Sequence, residues 1–183
     1  MFLLASFRRW HRRLSLVVGI QLLFWTGSGL FFSIFPIEEI RGNHLLAEGG
    51  PQLRLQAESS MNEIEASAAA RLALKSPAPL ARALLIEEAP NEYRGGDLPA
   101  WRVDFEDGVS IYLDPMSAKV NAVRTPIWRT YDFLWMLHIM DYDERSDFNH
   151  PLLIAAALLG FLTSLTGLVL TWYAWKPRPK KGE

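Results

Sequence analysis

The stretch "PLLIAAALLGFLTSLTGLVLTWYAW", residues 151–175, contains no charged side chain. An α-helix rises about 1.5 Å per residue, so this stretch is long enough as a helix to cross a hydrocarbon core of roughly 30 Å. A second uncharged stretch, "LSLVVGIQLLFWTGSGLFFSIFPI", occupies residues 14–37. The two stretches predict a membrane α-helical hairpin of two transmembrane helices. The lipid bilayer is therefore an expected partner of the chain.

The placement of charge predicts how the hairpin is oriented. Basic residues lie at the outer ends of both stretches: Arg8, Arg9, Arg12, Arg13, Lys176, Arg178, Lys180 and Lys181. By the positive-inside rule, both termini are expected in the cytoplasm. Between the helices, residues 38–150 carry 11 Lys and Arg against 19 Asp and Glu. We therefore expect this acidic segment outside, in the periplasm, and both helices in a bacterial inner membrane.

Several classes of protein are disfavoured. A cleaved signal peptide does not fit, because the first apolar run is too long and "FSIFPIEE" offers no small-x-small cleavage site. The chain has no cysteine, which excludes disulfides, thiolate metal sites and covalently attached c-type haem. The basic residues are explained by topology, so nothing indicates nucleic-acid binding. No flavin, nicotinamide or phosphate-loop motif is present, and no HExxH metalloprotease motif.

Small residues on both predicted helices favour helix–helix association. Gly27 and Gly29 lie on the first, and Gly160 and Gly167 lie within a small, weakly polar face on the second. Small side chains let helix backbones approach closely in a membrane. The pattern predicts that the helices pair and that the chain is a homo-oligomer or a subunit of a membrane complex. The alternative is that these membrane helices simply tolerate Gly and Ser.

The outside segment resembles a small α+β module in its pattern. Ser60 and Glu63 form a capping-box pattern ahead of a helix on which Ile64, Ala68 and Leu72 share one apolar face.

The strands of this module are predicted next. "ARALLIEE" predicts one strand, and "AWRVDF" and "VSIYLD", joined by "EDG", predict a hairpin. Trp101, Val103 and Phe105 alternate to one face of it. "DPMSAKV" predicts a turn into a further strand, and Pro126 opens a helix of roughly residues 127–140.

These motifs, in this order, resemble the PepSY-associated transmembrane family. The family resemblance lies in the basic-His-Leu-Gly entry "RRWHRRLSLVVGIQLLFWTGSG", in the hairpin and turn "WRVDFEDGVSIYLDPMSAKV", and in "LWMLH" followed by "LTGLVLTWYAW". The chain departs from the family pattern at Ala118, where the turn usually has Gly, and in having two spans where larger members have four or more. The fold class expected is a two-helix membrane hairpin with an inserted extracytoplasmic α+β domain that is PepSY-like.

With this resemblance the chain divides into six segments. They are a cytoplasmic basic segment (residues 1–13), a first transmembrane helix (14–37), a periplasmic PepSY-like α+β domain (38–125), an interfacial helix with an acidic loop (126–150), a second transmembrane helix (151–175) and a cytoplasmic basic tail (176–183).

The resemblance implies two classes of function. Larger members are associated with reduction of siderophore-bound ferric iron through b-type haem held by histidines. This implies transmembrane electron transfer by an oligomer, with ferric siderophore or a redox partner outside and quinol or another protein as the electron source. Other PepSY modules are associated with restraining peptidases or with envelope regulation. This implies instead a non-enzymatic, membrane-anchored module that binds a peptidase, an envelope partner or a transport complex.

Four histidines are the candidate haem ligands: His11, His44, His138 and His150. His11 is predicted at the cytoplasmic end of the first span and the other three outside, so His11 cannot share an iron with them within one chain. It could share one with His11 of a second copy. His44 follows the first span and His150 precedes the second, so both are expected on the outer side of the membrane and could approach each other. His150 precedes Pro151, so it could equally be the N-cap residue of the second helix.

His138 also belongs to an aromatic stripe in the helix before the second span. The stripe has the spacing of one helical face and consists of Trp128, Tyr131, Trp135, His138 and Tyr142. It could pack against a porphyrin, or it could be an interfacial face with its aromatics at headgroup depth. The acids of "DYDERSDFNH" do not form a calcium loop, because Arg145 and Ser146 occupy its fifth and sixth positions. They could hydrogen-bond a ligating imidazole or keep the loop solvated.

Overall fold

The computed structural model describes residues 2–48 and 60–175. The chain divides into two compact units, which we call the helix unit (Met1–Leu30 with Trp135–Glu183) and the sheet unit (Phe31–Leu134). The predicted basic tail, residues 176–183, lies outside the described residues.

Two long helices form most of the helix unit. Helix α1 is Phe2–Ile34, and α5 is Pro151–Trp175, which has the predicted bounds. Within them, Ala5–Ile34 and Pro151–Trp175 are long and apolar enough to cross a membrane. The prediction of two apolar helices on either side of a small domain is therefore confirmed in its coarse form.

Helix α1 differs from the predicted residues 14–37 at both ends. It begins twelve residues earlier, at Phe2, because the arginines before residue 14 are good helix formers and extend the helix beyond the apolar run. It ends at Ile34, before Pro36, because the residue preceding a proline avoids helical backbone angles.

Helices α1 and α5 pack together through the small face of α5. A Cβ built on Gly160 would lie 3.9 Å from Val18 and 4.0 Å from Trp25, and one on Gly167 would lie 3.2 Å from the His11 ring. Gly160 thus contacts a later part of α1 than Gly167 does, so the two helices run antiparallel. Gly27 and Gly29 have open space around them in the single chain.

The sheet unit contains a four-stranded antiparallel sheet in the order β1-β2-β3-β4. The strands are β1 (Leu80–Ile86), β2 (Ala100–Phe105), β3 (Ser110–Leu113) and β4 (Val120–Arg124). The predicted hairpin is present, and Phe105 N–H donates to Val109 O at 2.8 Å across its turn. All four predicted strands form. The three with predicted bounds lie within one or two residues of them, and β4 begins at Val120, the last residue of the predicted turn.

Helix α3 (Glu63–Ala73) covers one face of this sheet, but one detail of its prediction, the capping box, is wrong. The capping box uses Asn62 and Glu65 instead of Ser60 and Glu63, because the helix begins two residues later than that pattern indicated. The Ile64–Leu72 face points away from the core, with Ile64 80% and Leu72 57% exposed.

The face of α3 that packs against the sheet is made of alanines. Ala66, Ala69, Ala70 and Ala73 are buried there. Because alanine is small, the helix comes close enough for Trp101, Val103 and Phe105 to fill the space beneath it. All three lie on one face, as predicted, and that face is buried.

Shorter elements complete the chain. Helix α2 is Ile37–Ile40, α4 is Pro126–Ile139, and 3-10 turns are formed by Asn43–Leu45 and Asn91–Tyr93. Ala118, at the turn position where glycine is usual, has φ 57° and is buried. The turn therefore adopts the left-handed backbone that favours glycine even though the residue is alanine.

Candidate functional site

His11 is held between α1 and α5 by a chain of hydrogen bonds. Its Nδ1 lies 2.8 Å from Thr166 Oγ1, and the Thr166 hydroxyl donates to Thr163 O at 2.8 Å. When the hydroxyl proton is used on that carbonyl, Oγ1 accepts from Nδ1–H of His11. This arrangement corresponds to the tautomer with the proton on Nδ1 and the lone pair on Nε2, which lies 3.4 Å from Ser15 Oγ.

His138, at the end of α4, is held in the same way by α1. Its Nδ1 lies 2.7 Å from Ser28 Oγ, and the Ser28 hydroxyl donates to Phe24 O at 2.6 Å. This arrangement again corresponds to the tautomer with the proton on Nδ1 and the lone pair on Nε2. Trp25 Nε1 donates to the carbonyl of His138 at 2.8 Å and fixes its backbone. Burial lowers the pKa of His138, which favours the neutral ring that a metal requires.

The two histidines lie at opposite ends of the membrane-spanning part of α1. His11 is on α1 itself, and His138 contacts it at Ser28, which is 17 residues further along. At about 1.5 Å per residue this is roughly 25 Å, close to the thickness of a hydrocarbon core. The expectation that His11 cannot share an iron with His138 in one chain agrees with this spacing.

The other two histidines have simpler surroundings. His150 precedes α5, and its Nδ1 accepts from Leu152 N–H at 3.3 Å, so it caps the helix and carries its ring proton on Nε2. His44 is exposed in the sheet unit, in the turn Asn43–Leu45, and its carbonyl accepts from Lys75 Nζ. Their role as ligands stays a prediction.

The acids before α5 order their own loop. Asp141 accepts hydrogen bonds from the backbone N–H groups of Asp143, Ser146 and Asp147 at 3.2, 2.9 and 3.0 Å. These hydrogen bonds lower the pKa of Asp141, and the bond from Asp147 has the largest effect. Within residues 2–48 and 60–175, no group of three or more His, Cys, Asp or Glu residues could hold a metal ion.

The aromatic stripe contributes to several separate contacts. In the sheet unit, Trp128 lies under Arg124, 4.1 Å from ring centroid to guanidinium, and Tyr131 packs on Phe32. In the helix unit, Trp135 Nε1 donates to Arg145 O at 3.1 Å, while Tyr142 is half exposed. With His138, whose ring contacts Ser28, four members of the stripe therefore contact other protein groups.

A polar network on the second face of the sheet is a feature that the sequence did not reveal. Glu92, in the turn Asn91–Tyr93, accepts hydrogen bonds from Arg129 Nε and Tyr112 OH at 2.7 Å each, and pairs with Arg102 at 3.0 Å. Asp104 accepts from Ser110 at 2.6 Å and from Arg102 at 2.8 Å. One sequence signal could have indicated this network. Arg102 and Asp104 alternate with buried residues along β2, which places both on the other face of the strand.

Hydrogen bonds lower the pKa of both acids of this network. Burial alone would raise the pKa of Glu92, but hydrogen bonds from Arg129 and Tyr112 outweigh it, so the pKa lies below the ordinary value of 4.5. For Asp104, burial is likewise outweighed by bonds from Ser110 and Arg102, and its pKa lies below 3.8. Both groups are therefore ionised carboxylates that fix the arginines around them.

The fold defines a membrane protein in which two apolar helices flank a small antiparallel α+β unit, with one oriented imidazole at each end of the helix pair. The chain belongs to the PepSY-associated TM region family, whose model matches residues 8–182, nearly the whole length. This confirms the family resemblance drawn from the sequence. No curated protein and no solved structure matches the chain.

Proposed function

We propose that this chain is a b-type haem protein that carries electrons across a bacterial inner membrane as a dimer, toward ferric iron held by a siderophore outside. The observation that carries the proposal is the pair of matching hydroxyl relays at His11 and His138. In each relay Nδ1 is hydrogen-bonded to a helix hydroxyl that also reaches a main-chain carbonyl, and in the tautomer that we propose Nδ1–H is the donor.

The donor set of this chain fits haem. A metal-ligating imidazole coordinates through one nitrogen and donates its other N–H to a partner that fixes the ring. His11 and His138 both have this arrangement, with Nε2 as the ligand nitrogen. A bound b-type haem supplies one-electron chemistry, and its porphyrin supplies the four donors besides the axial ligands.

The number of ligands supports a dimer. His11 is the one proposed ligand at the inner end of α1, about 25 Å from His138, so a bis-histidine site at that end requires a second copy. His44 and His150 are further proposed ligands on the outer side. Gly27 and Gly29, open on the surface of α1, give a second copy a place for close approach.

The proposal is tested by visible spectra of the detergent-purified protein from haem-replete cells, oxidised and dithionite-reduced. We expect a Soret band with sharp reduced α and β bands. His11→Ala and His138→Ala should each remove about half of the bound haem, because each removes the ligand of one end. Thr166→Val and Ser28→Ala keep the ligands but remove the relay, and should weaken haem retention roughly 10- to 100-fold.

A colourless protein that also fails to take up added haem would contradict the proposal. So would His11→Ala and His138→Ala variants that keep their full haem content.

The proposed topology places both termini in the cytoplasm and residues 38–150 in the periplasm. Because the chain lacks cysteine, a single introduced cysteine reports its own side without background. In intact cells, a membrane-impermeant maleimide that enters the periplasm should label Ala89→Cys and leave Ala5→Cys unlabelled until lysis. Both positions are exposed and neither change alters charge. Labelling of Ala5→Cys before lysis would reverse the assigned orientation.

A second candidate function is a membrane-anchored module that binds a peptidase or another envelope protein. The exposed apolar residues Ile64 and Leu72 on α3, with Leu84 and Leu85 on the edge strand β1, favour it. Under this function all four histidines tolerate alanine, so the spectra and variants above distinguish the two.

A further inference from the structure

A concave site separate from the histidines lies in the sheet unit, between β4 and the loop after the turn Asn91–Tyr93. We call it the β4 pocket. It has a volume of about 380 Å³ and is lined by polar groups of β4 and of the loop after the turn Asn91–Tyr93. Its charged lining residues are Arg94, Asp97, Lys119 and Arg124.

The β4 pocket is locally basic although the segment that contains it is acidic. Three of its four charged side chains are cations. Arg94 is neutralised by an ion pair with Asp132. Among the described residues, neither Lys119 nor Arg124 forms an ion pair with a carboxylate. Lys119 helps to lower the pKa of Asp114, which does not line the pocket. Among the lining residues, two cations without an ion pair thus face one carboxylate, within a segment that has 19 acids against 11 basic residues.

Arg124 is held rigidly in this pocket. Its Nη1 donates to Val123 O at 3.0 Å, its Nε donates to Glu92 O, and its guanidinium lies over the ring of Trp128. Burial lowers the pKa of Arg124, which means that its charge is poorly solvated. A rigid, poorly solvated guanidinium is favourable for an incoming anion, because little side-chain entropy is lost on binding.

The backbone beside the cations is also accessible. A Cβ added to Gly95 would meet no atom within 4 Å, so the chain passes the pocket without a side chain in front of it. Lys119 is exposed at the rim, and its ammonium has three donors. An anion in the pocket could therefore reach a fixed guanidinium and a mobile ammonium together.

We infer that the β4 pocket binds an oxyanion, the carboxylate or phosphate group of a small ligand, between Lys119 and Arg124. The volume exceeds what one such group fills, so the rest of the ligand lies over the loop at Gly95. The site does not depend on haem, and a colourless protein would retain it.

The test is isothermal titration of the detergent-purified full chain at low ionic strength, with citrate and with inorganic phosphate as separate probes. We expect one anion per chain. Lys119→Gln should weaken binding roughly threefold, as for loss of one exposed charge pair. Asp97→Asn removes the carboxylate at the rim and should strengthen binding by about the same factor. Arg71→Gln, an exposed position on α3 outside the pocket, is the matched control and should leave affinity unchanged.

Tighter binding of citrate would identify a carboxylate ligand, and tighter binding of phosphate would identify a phosphate ligand; both support the site. Absence of binding by either probe at millimolar concentration would overturn it. Equal affinities in Lys119→Gln and Arg71→Gln would overturn it as well, because binding would then follow net charge alone.

Discussion

Replacing Glu92 by glutamine is expected to lower the free energy of unfolding of the sheet unit by about 3 kcal/mol. Glutamine keeps the size of the side chain but removes the charge that faces Arg102 and Arg129. The Glu92 side chain is only 14% exposed, and its two arginine partners are 21% and 36% exposed. Arg129 would therefore lose its counter-charge in a partly desolvated place, and Arg102 would keep only Asp104. Breaking such a pair costs more than the pair contributes.

The measurement is chemical denaturation of the detergent-purified chain followed by near-UV circular dichroism. Glu87→Gln is the matched control, since Glu87 is exposed and the change in charge is the same. We expect its midpoint to match the wild type. An equal loss in the two variants would show that net charge, and not the network, determines the stability.

The same network gives the stability a pH dependence of known sign. The pKa values of Glu92 and Asp104 in the folded chain lie below 4.5 and 3.8, their ordinary values. Groups with a lowered folded pKa contribute stability above the unfolded pKa, and this contribution is lost as pH falls through the folded pKa. Wild-type stability should thus begin to fall near pH 4.5 and keep falling below it, and Glu92→Gln should show a shallower fall.

The parts of this fold that were predictable are those specified by local pattern. An uncharged run longer than a bilayer requires identifies a spanning helix wherever it occurs, and residues 151–175 matched α5 at both ends. In β2, apolar and polar residues alternate along the sequence, and successive side chains of a strand point to opposite faces. The alternation therefore identified the side chains that share the buried face.

Helix α3 shows where the local pattern misleads. Ile64 and Leu72 are the larger apolar residues of α3, and hydrophobicity alone assigns them to the core. The sheet instead selects the alanine face, because Trp101 and its neighbours already fill the volume and only a helix with small side chains can approach them closely.

The candidate site could be predicted only in part for a related reason. The histidines are visible in the sequence, but their hydroxyl partners are 155 residues away for His11 and 110 for His138. The same holds for Glu92, whose partner Arg129 is 37 residues further along the chain. Contacts at this separation depend on the packed fold, which residue types and spacing do not determine by themselves.

The second large effect is expected at Gly96, where alanine should lower the free energy of unfolding by about 3 kcal/mol, at the upper end for overpacking. A Cβ at Gly96 would lie 2.3 Å from Cζ of the Tyr93 ring and 2.5 Å from Cε1. The ring cannot move aside easily. Tyr93 is buried and stacks on Tyr112 at 4.2 Å, and its hydroxyl donates to Asp97 O and accepts from Asn121.

Gly95 is the matched control for this variant, because its Cβ would meet no atom but its φ is +71°. Gly95→Ala should therefore cost only the backbone term, about 1 kcal/mol. Denaturation of both variants and of the Tyr93→Ala, Gly96→Ala double variant separates the two causes. Since Tyr93→Ala removes the clashing ring, Gly96→Ala should cost little in that background, giving a strongly non-additive cycle. If the losses of unfolding free energy are additive, or if Gly96→Ala costs no more than Gly95→Ala, then the loop moves away and the ring of Tyr93 does not hold it in place.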